Sequence, residues 1–77
     1  MSTIVRMPKY GETMEEGLVS EWTVKIGQNI EEGDIIASIE THKSVFQLEA
    51  PVSGTILQFL VEEGQEVPVN TPIAIIG

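Results

Sequence analysis

Chemistry in this chain has few residues to work with. Positive charge rests on Arg6, Lys9, Lys25 and Lys43 alone, so an amine reaction has three lysines to choose from. Lys43 stands in a short polar stretch, Thr41-His42-Lys43-Ser44, between two strand-like runs. That stretch reads as a β-turn joining antiparallel strands. A lysine there is exposed, and its ε-amine can be acylated to an amide, which removes the charge and lengthens the arm. Burial does not activate an exposed lysine, and on this pattern alone an ordinary solvated turn lysine is the simpler reading, with accessibility to a modifying enzyme the alternative. Glu40 and Glu49 bracket the turn and are candidates for positioning it. Paired carboxylates also serve acid–base catalysis, but only within a pocket, and nothing around these two suggests one. His42 is the one histidine and cysteine is absent, so the usual zinc sets and nucleophile triads cannot be assembled. No Gly-rich phosphate loop is present. The expectation is no metal and no catalytic residue of the chain's own.

Strands must position such a turn. β-branched residues are abundant, and seven Gly and four Pro punctuate the chain every few residues. That spacing predicts an all-β sandwich or barrel of short strands. The strands expected are 3–7, 18–22, 34–40, 45–49, 55–59 and 73–76, with bridging pieces near 29–30 and 66–67. Pro8, Pro51, Pro68 and Pro72 belong at strand ends or edges, where a missing N–H does no harm. Trp22 and Phe59 read as core, and Phe46 as partly exposed near the turn.

An internal repeat orders these strands. GLVSEWTVKIGQNIEEGDIIASIE (17–40) aligns without a gap on GTILQFLVEEGQEVPVNTPIAIIG (54–77) at an offset of 37. Identities include Gly17/Gly54, Gly27/Gly64, Gln28/Gln65, Ile36/Ile73 and Ala37/Ala74, and Trp22 matches Phe59 in character. These are turn glycines and apolar sites, so the repeat is one of backbone and core. Two copies are too few for a solenoid. They can instead close on each other as two sheets about a pseudo-twofold axis. The connector carrying Lys43 then exchanges with the chain termini, which predicts Lys43 at the far end of the domain from them.

The bulk properties bound the partners. Seventy-seven residues fit a single domain spanning 1–77. Twelve acidic residues against four basic ones give a net charge of −8, which argues against nucleic acid and suits visits to basic partner surfaces. No run approaches the ~20 apolar residues of a membrane span, and no stretch has signal-peptide character. A soluble, monomeric, intracellular domain is expected, cytoplasmic or in a mitochondrial matrix.

ETHKSVFQLEAPVSG (40–54) resembles the lipoylation hairpin of lipoyl domains, written E-T-D-K-x with a downstream E-A-P-x-x-G. MPKYGETMEEGLVSEW (7–22) resembles that family's M-P-x-x-G-E-x-M-x-E-G-x-x-x-x-W opening. GQNIEEGDIIASIE and VEEGQEVPVNTPIAIIG resemble its two G-x-x-V-x-x-G/N-x-x-I/L segments. Together they cover nearly the whole chain. The resemblance is to the lipoyl domains of the dihydrolipoamide acyltransferase components of 2-oxo acid and acetoin dehydrogenase complexes. It implies two four-stranded antiparallel sheets with quasi-twofold symmetry, a flattened barrel or sandwich, agreeing with the repeat.

The same resemblance implies lipoic acid covalently attached to Lys43, a swinging arm carrying acyl groups and reducing equivalents. Implied partners are a lipoate ligase or lipoyl transferase, a thiamine-dependent dehydrogenase component, an acyltransferase catalytic domain and a flavin-dependent dihydrolipoyl dehydrogenase. Tethering would raise the local concentration of the carried group at each site. Glu40, Thr41, His42 and Ser44 form the recognition hairpin. The polar loop 11–17, with Glu12, Thr13, Met14, Glu15 and Glu16, is implied to lie near the hairpin and help partners choose. His42 and Ser44 depart from the family's usual Asp and Ala, which bears on which partner reads the hairpin. Three alternatives remain. A biotinyl carrier shares the fold but usually has Met on both sides of its lysine. A glycine-cleavage carrier is longer, with helical parts. An unmodified interaction module would use the same scaffold. The chain stops immediately after a strand, so a domain excised from a longer acyltransferase is expected.

Overall fold

The computed structural model describes residues 2–77. Eight strands follow one another: β1 (Thr3–Arg6), β2 (Glu16–Trp22), β3 (Asn29–Ile30), β4 (Ile35–Glu40), β5 (Val45–Glu49), β6 (Gly54–Phe59), β7 (Glu66–Pro68) and β8 (Pro72–Ile76). They form two four-stranded antiparallel sheets ordered β1-β8-β6-β3 and β5-β4-β2-β7. No ladder joins the two sheets among the described residues, so the molecule is a sandwich and not a closed barrel. Every expected strand is present. β2 begins two residues earlier than expected because Glu16 and Gly17 pair with Pro68 and Val67 of β7. Local propensity does not mark those two residues as strand; the long-range partner does.

The offset of 37 carries β2, β3 and β4 onto β6, β7 and β8. It therefore turns one sheet order into the other, with β5 standing where β1 stands. Fine structure follows the same symmetry. The register shift between Val19 and Glu21 recurs between Ile56 and Gln58. Gly27 and Gly64 take φ of 90° and 87°, where a side chain would be strained. In each of these turns the following glutamine accepts a backbone amide hydrogen bond: Lys25 N–H to Gln28 and Glu62 N–H to Gln65, both 3.1 Å. The repeated Gly-Gln pair is thus a turn with its own side-chain clamp. Gly33 at φ 94° corresponds to Asn70 at φ 77°, the one non-Gly residue with positive φ among those described. Asparagine is among the few side chains that enter that region readily.

Inward residues of both sheets form one core, in which Val19, Ile36, Ile39, Ile56 and Ile73 are fully buried. Among the described residues no polar or charged side chain is buried. Trp22 and Phe59 are half-buried rather than fully core. Their rings stack on one another at 4.2 Å and 14°. Symmetry-equivalent residues can touch only near the axis, so this stack marks the pseudo-twofold. The chain ends lie together, with Thr3 opposite Ile76. From there β1 runs toward Met7, whose sulfur packs at Gly17, and Tyr10, which stacks on Phe46 of β5. The β4–β5 hairpin and the termini are therefore at opposite ends of the sandwich, as the repeat predicts.

Candidate functional site

Lys43 sits at the apex of the hairpin, in a two-residue loop with His42, and both are exposed. Two-residue hairpin loops normally use type I′ or II′ turns, which require positive φ. Neither residue has one, so the backbone turn needs help. Thr41 supplies it. Its amide donates to the Ser44 carbonyl at 2.9 Å, and its hydroxyl donates to that same oxygen at 2.9 Å. The hydroxyl oxygen also accepts from the amides of Lys43 at 3.3 Å and Ser44 at 3.2 Å. This is a side-chain substitute for the second ladder bond of the hairpin, of the kind threonine offers in turns. The expected β-turn is present, but Thr41 holds it rather than Glu40 and Glu49. Glu40 is exposed and stands opposite Val45 in the ladder. Glu49 acts on Tyr10 instead. Burial raises the Tyr10 phenol above its ordinary pKa, and the Glu49 carboxylate raises it further.

The loop between β1 and β2 lies alongside the hairpin, and the two enclose a groove of about 630 Å³. Its apolar side is the Tyr10–Phe46 stack, centroids 4.2 Å apart and 9° from parallel, together with Met14. Glu12, Thr13 and Glu15 line it from the loop, Glu16 from the start of β2, and Thr41, His42 and Lys43 from the hairpin. Two of the expected loop residues are placed differently from the expectation. Glu16 belongs to β2, and Met14 turns inward, packed against the core with its sulfur accepting the Tyr10 amide at 3.2 Å. Met14 thus anchors the loop. Tyr10 is the residue that sequence reasoning missed. It is the only tyrosine, but it lies in a loop and its partner Phe46 on β5, and no local pattern pairs residues so far apart.

The arrangement offers one exposed amine on a rigid tip, with an acidic loop beside it. The family model Biotin_lipoyl, described as "Biotin-requiring enzyme", matches residues 3–76. The chain belongs to this family. Its members hold a covalently attached lipoyl or biotin group, so the chain is a carrier and not itself a catalyst. It is 46% identical over 77 residues to the dihydrolipoyllysine-residue acetyltransferase component of the acetoin cleaving system of Bacillus subtilis. That match covers 100% of this chain and 19% of the relative, so the chain spans about a fifth of that protein's length. Among solved structures, the lipoyl domain of the 2-oxoglutarate dehydrogenase complex from Azotobacter vinelandii is 26% identical at a TM-score of 0.78, covering 97% of this chain and 96% of that one. The urea carboxylase of Kluyveromyces lactis is 21% identical at a TM-score of 0.82, covering 100% of this chain and 6% of that one. A likeness at that identity shows the fold alone.

Proposed function

We propose that this chain is a lipoyl carrier domain with lipoic acid in amide linkage to Lys43. The observation that carries the reading is Lys43 itself, the exposed residue at the apex of a turn clamped by Thr41. The flanking residues favour lipoyl over biotinyl cargo, since His42 and Ser44 stand where biotinyl carriers usually have methionines. The similarity to relatives named for dihydrolipoyllysine and to a solved lipoyl domain supports the same choice.

The chain's residues act by presentation. Lys43 Nζ supplies the amide nitrogen and, with its flexible stem, the root of the arm. The Thr41 clamp fixes the direction in which that stem leaves the domain. When bound, the lipoyl group supplies a redox-active dithiolane able to carry acyl groups and reducing equivalents. Glu12 and Glu15 of the acidic loop, with Glu16 at the start of β2, would meet basic partner surfaces, and the Tyr10–Phe46 stack holds that loop against the hairpin. With the termini at the opposite end, a tether to a longer acyltransferase leaves the tip clear. The partners we infer are a lipoate ligase or lipoyl transferase, a thiamine-dependent dehydrogenase component, an acyltransferase catalytic domain and dihydrolipoyl dehydrogenase. Cytoplasmic or mitochondrial-matrix residence belongs to the same reading.

The test is the intact mass of the chain after incubation with lipoate ligase, ATP and lipoate, followed by peptide mapping, with a biotin ligase in parallel. One lipoyl group on Lys43 supports the assignment. Modification by the biotin ligase alone moves the chain to biotinyl carriers. No modification by either makes it an unmodified interaction module.

A further inference from the structure

Outside the lysine, the most concentrated set of ligand atoms lies on the outer face of the β5-β4-β2-β7 sheet. Glu16, His42 and Glu66 come from β2, the hairpin tip and β7, and each offers a ligand atom within 4.8 Å of the others. The backbone dictates this meeting. Glu66 stands opposite Leu18, and Glu16 is two residues before Leu18, so both carboxylates project from the same face of adjacent strands. Glu40 stands opposite Leu18 from the other side, and two residues later the chain reaches His42. His42 Nε2 lies 4.0 Å from Glu16 Oε1.

Two features of this cluster point to a cation. Like charges on neighbouring strands repel, and among the described residues no lysine or arginine forms an ion pair with either glutamate. The donor set also includes an imidazole nitrogen, which hard cations such as Mg²⁺ do not favour but Zn²⁺ and its neighbours do. The geometry is within reach of coordination. Ligands about 2.1 Å from a tetrahedral zinc lie roughly 3.4 Å apart, so the separations need to close by up to about 1.4 Å. All three side chains are free to make that movement: His42 is 86% and Glu16 45% exposed, and Glu66 is exposed as well.

We propose that Glu16, His42 and Glu66 form an open binding site for a borderline divalent transition-metal ion of the Zn²⁺ class. Three protein ligands leave a fourth position for water. The ion would pin the hairpin tip, through the residue next to Lys43, to both β2 and β7. One histidine without cysteine makes no conventional zinc set, but here that histidine is joined to carboxylates from two strands. It does not depend on Lys43 being modified.

The experiment is calorimetric titration of the 77-residue chain with zinc chloride and, in parallel, magnesium chloride, with amide NMR spectra recorded at each point. The expected result is saturable binding of one zinc, with shifts centred on residues 16, 42 and 66 and no comparable response to magnesium. His42→Ala and Glu66→Gln should each weaken zinc binding at least tenfold, the low end of what even an outer-shell partner contributes. Both substitutions are at exposed positions, and an unchanged circular dichroism spectrum confirms that the variants are folded. The proposal is overturned by absence of saturable zinc binding, by binding that both variants leave unchanged, or by equal affinity for magnesium, which would mean diffuse attraction to an acidic surface.

Discussion

Replacing Thr41 by Val is the sharpest test of how the attachment lysine is held. Valine keeps the β-branched shape suited to a strand end and removes only the hydroxyl. That hydroxyl donates one hydrogen bond, to the Ser44 carbonyl, and accepts two, from the Lys43 and Ser44 amides. The accepted bonds, at 3.3 and 3.2 Å, are long for N–H···O contacts, and water can replace them at this exposed site. A net hydrogen bond is worth about 0.5–1.5 kcal/mol, so the low end applies to each. With the donated bond counted at the same low end, the three together put the cost of opening the turn at about 1.5 kcal/mol, a factor of roughly ten. Those bonds are absent from the open turn and from the unfolded chain alike, so global stability should fall by no more than the same amount. Amide hydrogen exchange at Lys43 and Ser44 should accelerate about tenfold in the variant. Initial lipoylation rates should fall by up to the same factor, because ligase then meets a less organised tip. Thr41→Ser retains the hydroxyl oxygen and should restore both readouts. Exchange at Lys43 and Ser44 that is identical in the Val variant and the parent would refute the clamp.

Further outcomes follow from the same structure. Lys43→Arg should abolish lipoylation while leaving the amide NMR spectrum folded, and persistent lipoylation would place the attachment elsewhere. Ile39→Ala empties a fully buried position and should cost about 2–5 kcal/mol in urea denaturation, with a shifted midpoint and an unchanged slope. An added methyl at Gly17 would lie 3.0 Å from Met14 Cε and 3.1 Å from Met7 Sδ, so Gly17→Ala should cost about 1–3 kcal/mol and loosen the 11–15 loop in hydrogen exchange. The raised Tyr10 pKa means that the folded state holds its phenolic proton at pH values where the unfolded chain has lost it. The associated stability is complete below the ordinary tyrosine pKa of about 10 and is lost as pH rises through the folded value. Urea melts at increasing alkalinity should therefore show a smaller loss for Tyr10→Phe than for the parent, and equal losses would contradict the burial-driven shift.

Much of this protein is legible in one dimension because its information is periodic. Turn glycines, the Gly-Gln pairs and alternating β-branched residues are local signals, and they mark the strands to within a residue or two. The gapless repeat goes further, since two equivalent halves can close only about an axis. That symmetry places Lys43 opposite the termini before any coordinate is known. Lys43 was also visible, because a lysine in a polar turn between strands is a local feature.

The tertiary structure decided what depends on distant partners. β2 starts at Glu16 because β7 is there to pair with it, and the register shifts repeat in both halves without any sequence mark. Met14 became an anchor and Tyr10 a bridge to the hairpin because the loop folds over Phe46. The Thr41 clamp depended on the φ values of His42 and Lys43, which residue type does not dictate. Glu16, His42 and Glu66 are brought together by strand register alone. Local propensity and periodicity act over a few residues, whereas packing and register are settled only when the whole chain has closed on itself.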